Sequence, residues 1–293
     1  MCIRDRFAPF DLPFVAGKFP LLFQNGVWLF DAVEGFAFTF PAKNSPLFDW
    51  SNTDLTFFFI FEDIDSLAFD NDEDAEAFGF NWFLEAYDGY FEIGYAFLHD
   101  TSGQGLSYHN ATFAYTRRYF HRVSNSIRVI VNAGQDPVNG DDTADGTAVL
   151  LENALISHKP LVFVPYFNLF AGFGRPQQVA GQALLTNTGI NFESDGLTGF
   201  PLLDPTANDT YGGALGVNWL GCDFSWQLML ELATVQTFGD DPNRNAAGDQ
   251  YAFGMRYQMP LTNAWLIRFD SMVGLRESDE NVRGARMELR WKF

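Results

Sequence analysis

Residues 282–293 read V-R-G-A-R-M-E-L-R-W-K-F, and this stretch constrains the fold more than any other. Ala285, Met287, Leu289, Trp291 and Phe293 fall on one side of the pattern; Arg286, Glu288, Arg290 and Lys292 fall on the other. Such alternation belongs to a β-strand, because successive residues of an extended chain point to opposite faces. One face must meet an apolar phase and the other an aqueous one. A soluble sandwich does this with a core on one side and bulk water on the other. A membrane barrel inverts it, with lipid outside and a watery lumen within.

Composition helps to choose. Apolar residues make up 47% of the chain, yet the mean hydropathy is only -0.08, so they are interleaved with polar residues rather than blocked. No run approaches the roughly 18 apolar residues of a transmembrane helix; the densest, residues 57–61, is F-F-F-I-F. If the chain crosses a membrane, it does so as a closed sheet, the other structure that satisfies its own backbone in lipid. The 33 Phe, 10 Tyr and 7 Trp suit a lipid-facing band with interfacial girdles. A formal charge of -19 excludes nucleic acid as a partner, since that needs basic faces.

Cys2 and Cys222 give no disulfide framework. The opening M-C-I-R-D-R is not followed by the apolar core of a signal peptide. Because a barrel protein must be exported, the expectation is that the true N-terminus is missing and that Cys2 carries no lipid.

Taken in order, strands are expected at 12–20, 35–40, 55–62, 76–86, 90–98, 108–118, 127–133, 149–157, 161–171, 211–219, 224–235, 250–259, 263–275 and 282–293. Residues 21–33 and 42–54 read as connections, and Tyr87-Asp88-Gly89 as a tight hairpin turn with Asp-Gly supplying positive φ. From residue 63 onward, long connections (63–74, 99–107, 134–146, 172–208, 237–247, 276–281) alternate with short turns near 88, 121, 159, 221 and 261. A soluble Greek key gives no reason for that parity. An up-and-down outer-membrane barrel does, with short periplasmic turns and long external loops. The expected fold is therefore all-β: a transmembrane antiparallel up-and-down β-barrel forming one domain over residues 1–293. It has about 14 strands here and about 16–18 if complete, a size that leaves an aqueous channel.

The last four strands share a charged face, which becomes the lumen wall. Its candidate pore-lining residues are Arg256, Arg268, Arg286, Arg290 and Lys292, facing Glu92, Glu231, Asp270 and Glu288. Opposed charges of this kind orient solutes in a narrow pore; the plainer reading is that they only solvate the wall and pair across strands. Tyr166, Asn168 and Gln258 add polar contacts suited to a sugar-like solute, and inward Gly94, Gly216, Gly254, Gly274 and Gly284 leave room. Trp219, Tyr257, Trp265 and Trp291 are girdle candidates. The connection 172–208 is too apolar for a loop in water and too long to be idle. It is expected to fold into or over the pore, with Arg175, Glu193 and Asp195 as constriction residues; the alternative is an external loop packed on its neighbours.

Chemistry-bearing motifs are thin. Asp141-x-Thr143-x-Asp145-Gly146-x5-Glu152 approximates a calcium loop, but Thr143 departs from the pattern and the flanks read as strands, not helices. No metal site and no cofactor are expected. His99, His109, His121 and His158 are scattered, and Ser107 near His109 shows no sign of an activated pair. No catalytic residue is assigned, and the chain is not expected to be an enzyme.

Two segments carry a family resemblance. The terminal R-M-E-L-R-W-K-F resembles the closing strand of bacterial outer-membrane barrels, which ends on Phe or Trp. The opening G-K-F-P-L-L-F-Q-N-G, residues 17–26, is similar to the G-R-x-x-L-x-F strand of substrate-specific porins and alginate-export-type barrels, with Lys18 where Arg is commoner. The resemblance implies a porin of the outer membrane of Gram-negative bacteria, a water-filled channel for passive diffusion of small hydrophilic solutes such as sugars or anions. Its implied partners are outer-membrane lipid, those solutes and the barrel-assembly machinery, and it would work alone or as a homotrimer. The alternatives are a soluble or surface β-sandwich binding protein and, third, an outer-membrane barrel enzyme.

Overall fold

The computed structural model describes residues 12–291 apart from 46–49, 72, 139, 141, 157–161, 194–202, 222–223, 239–247 and 279. Cys2, Cys222, Asp195, Lys292 and Phe293 thus lie outside the described residues. Fourteen strands form one antiparallel sheet in strict chain order, from β1 to β14. They are β1 (Phe14–Phe23), β2 (Leu29–Ser45), β3 (Trp50–Glu62), β4 (Ala75–Ala86), β5 (Gly89–Asp100), β6 (Tyr108–Tyr119) and β7 (Val123–Ala133). Then follow β8 (Gly146–Leu155), β9 (Phe163–Gly174), β10 (Thr210–Leu220), β11 (Gln227–Thr237), β12 (Gln250–Pro260), β13 (Trp265–Arg276) and β14 (Val282–Trp291). Among the described residues no helix is long and apolar enough to cross a membrane.

Local chemistry explains the meander. Each strand alternates, and the ladder register places like faces together: Leu215, Leu232, Phe253 and Val273 are successive direct partners on β10 to β13. On the same outer side, Phe36, Phe59, Phe78 and Phe97 form a row across β2 to β5, with ring centroids 4.8, 6.3 and 5.4 Å apart. Cross-strand aromatic pairs are the usual unit of sheet stabilisation. This outer face is exposed and apolar, up to 62% at Leu215 and 73% at Met287. A continuous belt of that kind is stable against hydrocarbon and not against water. Trp265 stacks on Trp291 at 5.6 Å, and Trp226 lies between Trp219 and Tyr257, all beside the short-turn rim where an interfacial girdle belongs.

The connections sort by length. Residues 63–74, 101–107, 134–145, 175–209, 238–249 and 277–281 lie at one rim, and the shorter turns lie at the other. Two expected connections are corrected. Residues 21–33 are mostly strand: β1 runs to Phe23 and β2 starts at Leu29, with Phe23 paired to Leu29, so only 24–28 connect them. Residues 42–54 are likewise largely ladder, with Lys43 paired to Asn52 and Ser45 to Trp50. Backbone pairing carries the strands onward where side-chain alternation fades. At the β4–β5 hairpin the positive φ falls on Tyr87 (55°) and Asp88 (57°), one residue earlier than expected, and Gly89 already belongs to the strand. A two-residue turn of type I′ needs that conformation at both central positions. Gly89 is instead required by close approach, since a Cβ there would sit 2.5 Å from the Thr116 carbonyl oxygen.

The two faces make opposite predictions. Phe113→Arg, on the outer face of β6, should lower folding stability by about 2–4 kcal/mol if it sits at mid-membrane depth. Ser124→Lys, on the inner side of β7, should change it by less than about 1 kcal/mol. Urea-induced unfolding in lipid vesicles measures both.

Candidate functional site

The interior is not an open tube. Two segments enter it from the long-connection rim: the β1–β2 tip, residues 24–28, and the β9–β10 connection, residues 175–209. They enter as one body. Leu29 bridges Ala180, Phe30 N–H donates to the Ala180 carbonyl at 2.9 Å, and Val179 N–H donates to the Trp28 carbonyl at 2.9 Å. Asn187 Nδ2 adds a bond to the Gly26 carbonyl at 2.8 Å.

Polar side chains on the inner wall hold this body. Asn110 of β6 accepts from Trp28 Nε1 at 2.8 Å and donates to the Gln177 carbonyl at 2.9 Å. Asn132 of β7 completes the clamp, accepting from Gln177 N–H at 2.8 Å and donating to the Gln177 carbonyl at 3.1 Å. Thr112 donates to Gln24 Oε1 at 2.9 Å. Trp28, Asn110, Gln177 and Thr112 are all buried, so each lost bond would leave a desolvated group at a cost of about 1–3 kcal/mol. Across the lumen, Glu231 of β11 accepts from Ile190 N–H (3.2 Å), Asn191 N–H (2.9 Å), Asn191 Nδ2 (2.9 Å) and the Tyr166 hydroxyl (2.5 Å). A carboxylate given four donors is a socket for the connection. Glycines on the wall make room for what inserts: a Cβ at Gly94 would lie 2.5 Å from the Trp28 ring, and one at Gly254 would lie 2.7 Å from Asn191 Oδ1.

The arginines lie next to Glu231's strand, on β12 to β14. Asp270 of β13, almost fully buried, accepts from Arg256 Nε (2.8 Å), Arg268 Nε (2.9 Å) and Arg286 Nε (2.7 Å). Glu193, from the inserted connection, pairs with Arg256 and, at 3.3 Å, with Arg268. Arg290 and Glu288 pair with each other at 2.6 Å nearer the short-turn rim. Glu193 thus docks the connection onto Arg256 of β12 and Arg268 of β13, while Asp270 holds their guanidiniums together with that of Arg286 on β14. Arg175 bonds the Asp142 carbonyl and ties the start of the connection to its neighbour. Glu92 lies among Asn81, Arg128 and the Gln24 backbone, while Arg128 pairs with Glu152 at 2.6 Å. Glu152 is therefore inside the barrel, in mid-strand, away from the loop that gave the calcium-like spacing. Among the described residues no group of acidic, histidine or cysteine side chains is arranged to hold a metal ion. His99 and Ser107 approach to 3.4 Å, and the Ser107 hydroxyl also accepts from Asp100 N–H. His109 bonds Tyr95 at 2.7 Å instead of a serine.

Between the inserted body and the walls runs a cavity of about 1020 Å³. Its lining begins with Asp31 and Asp65 at the long-connection end and reaches Tyr90, Thr116 and Ser124 beside the short turns. The middle is made of amides and hydroxyls, including Asn168, Gln178, Gln182, Thr186, Asn187 and Asn218, with Arg256 the basic residue that reaches it and Glu152 and Glu193 the acids. Sequence reasoning missed the whole β1–β2 tip. The signal was a buried-type pair, Val27 and Trp28, inside an apparent turn. It also missed Asn110 and Asn132, lone amides on strands whose importance depends on partners about 45–67 residues away.

No family model matches the chain, and no curated protein matches it by sequence. Solved structures do match the fold. Acinetobacter baumannii OccAB4 superposes with a TM-score of 0.65 at 9% identity, covering 96% of this chain and 71% of that one. Pseudomonas aeruginosa OccK11 (OpdR) gives 0.63 at 10%, covering 94% and 72%. P. aeruginosa OpdK, solved with vanillate, gives 0.61 at 11%, covering 90% and 68%. These are outer-membrane porins, and this chain has their β-barrel fold.

Gly94→Val should expel Trp28 from the wall. The amides of Val27 and Phe30 should then lose hydrogen-exchange protection before the strands do, with a stability loss of about 1–3 kcal/mol from overpacking. Retained protection would contradict the packing described.

Proposed function

We propose that the chain is an outer-membrane porin, a non-enzymatic channel for passive diffusion of small hydrophilic solutes. The observation that carries this reading is the cavity beside the inserted body, whose lining residues are mostly polar and include some near each rim. The apolar outer belt and the likeness in fold to outer-membrane porins support the location. Insertion by the barrel-assembly machinery follows from the same reading.

The lining narrows the solute class. Amides and hydroxyls exchange hydrogen bonds with a hydrated solute at little net cost, so the passage favours neutral polyhydroxylated molecules such as sugars over strongly charged ones. Anions are the weaker choice, because Arg268 and Arg286 are engaged by Asp270 and do not line the cavity, while Asp31, Asp65, Glu152 and Glu193 do. Arg256, Glu193 and the docked connection form the constriction, the step at which solutes are sorted. A channel acts by the field and the groups along its wall, and none of these groups needs to change protonation or form a bond.

Swelling of proteoliposomes tests this. Small neutral sugars should enter faster than anions of similar size; equal, protein-independent swelling for all solutes would overturn the reading. In a salt gradient across a planar bilayer, the reversal potential should show cation preference. Arg256→Ala should strengthen it and Asp65→Asn weaken it, each changing the permeability ratio about two- to fivefold.

A further inference from the structure

The outer wall carries a feature that solute passage does not use. Phe167, Leu215, Leu232, Phe253 and Val273 are successive ladder partners on β9 to β13, and the next partner, on β14, is Arg283. Arg283 is exposed and in phase with the outward Met287, Leu289 and Trp291, so its guanidinium stands on the apolar face. Among the described residues it makes no ion pair. Toward the long-connection rim, the adjoining row is Leu169, Gly213, Thr234, Tyr251 and Leu275. Gly213 brings no side chain and Thr234 a short one, so a groove of about 720 Å³ opens between the rows. It crosses the spacings between five strands, about 19 Å.

Arg283 does not line the groove itself but stands one strand beyond it, as the ladder partner of the lining residue Val273. A cation beside an apolar groove suits an amphiphile with an anionic head. Arg283 is the second residue of β14, at the level where a long-connection rim meets lipid headgroups. A guanidinium there is tolerated because the interface, unlike the bilayer centre, offers water and phosphate. Tyr211 and Tyr251, both exposed near that rim, supply phenol hydroxyls at the same level. A second copy of the chain would need an acidic, self-complementary patch opposite Arg283, and the groove's own rim shows none among the described residues.

We infer that this groove binds a phosphate-bearing membrane lipid, with one acyl chain lying across Gly213 and Thr234 and the phosphate paired with Arg283. The inference rests on the reading of the chain as a membrane barrel. The fork of N–H donors on arginine fits phosphate oxygens, and the smooth floor between Leu169, Leu215 and Tyr251 fits a chain without branches.

Native mass spectrometry of the full chain, released from detergent after incubation with phosphatidylglycerol or with phosphatidylcholine of the same acyl chains, tests this. Wild type should retain phosphatidylglycerol about fivefold more than phosphatidylcholine. Arg283→Gln should abolish that preference, and Thr234→Trp, which fills the groove, should lower retention of both. Equal retention of the two lipids by wild type overturns the inference, and that comparison stands even if a variant does not fold. So does an unchanged preference in folded Arg283→Gln, full competition by inorganic phosphate, or a doubled mass lost on Thr234→Trp, which would identify a second copy instead. Heat-modifiable gel migration in the same samples reports barrel formation, so failure of the membrane reading is distinguished from failure of the lipid site.

Discussion

Hydrocarbon offers a backbone nothing to bond with, and the architecture depends on that constraint. Strands in lipid must pair their N–H and C=O groups with neighbours, and β2 to β13 do so on both edges in one continuous antiparallel ladder. Pairing fixes the alternation, and alternation sends Phe, Leu and Trp outward and Asn, Arg, Asp and Glu inward. Polar groups gathered on the inner wall are then expensive unless they find partners. The inserted body supplies them.

That body is why the lumen is narrow. Asn110 and Asn132 hold Gln177 and Trp28 on one wall, Glu231 holds Ile190 and Asn191 on another, and Glu193 reaches the arginines around Asp270. Three attachments to separate strands make the connection part of the wall. Removing one member of a buried ionic or amide cluster leaves the others unsatisfied, which is costly. The same clusters therefore stabilise the inserted segments, and in the proposed channel they would also set the width and charge of what remains open.

Much of this was legible in the sequence and some was not, for physical reasons. The faces of β12, β13 and β14 can be read directly, because period-two alternation survives wherever one side meets lipid. The parity of connections can also be read, since short turns and long loops differ in composition. The β1–β2 tip could not be read, because Val27 and Trp28 are buried by insertion rather than by strand periodicity. The turn at residues 87–88 was displaced by one, since Asp-Gly suggests itself as the turn while Gly89 is needed for contact with Thr116. The arginines announced a charged wall, but their engagement by Glu193 depends on a residue 63 to 75 positions away, and no local pattern encodes that.

The central claim is that a partly filled barrel leaves one narrow polar passage. Single-channel conductance of the refolded protein in planar bilayers tests it most directly, with wild type compared with a double variant, Asn110→Ala with Asn132→Ala. The account predicts small, steady current steps for wild type and larger or flickering steps once the clamp on Gln177 and Trp28 is removed. Absence of any channel in correctly folded protein, or identical steps from both forms, would contradict it.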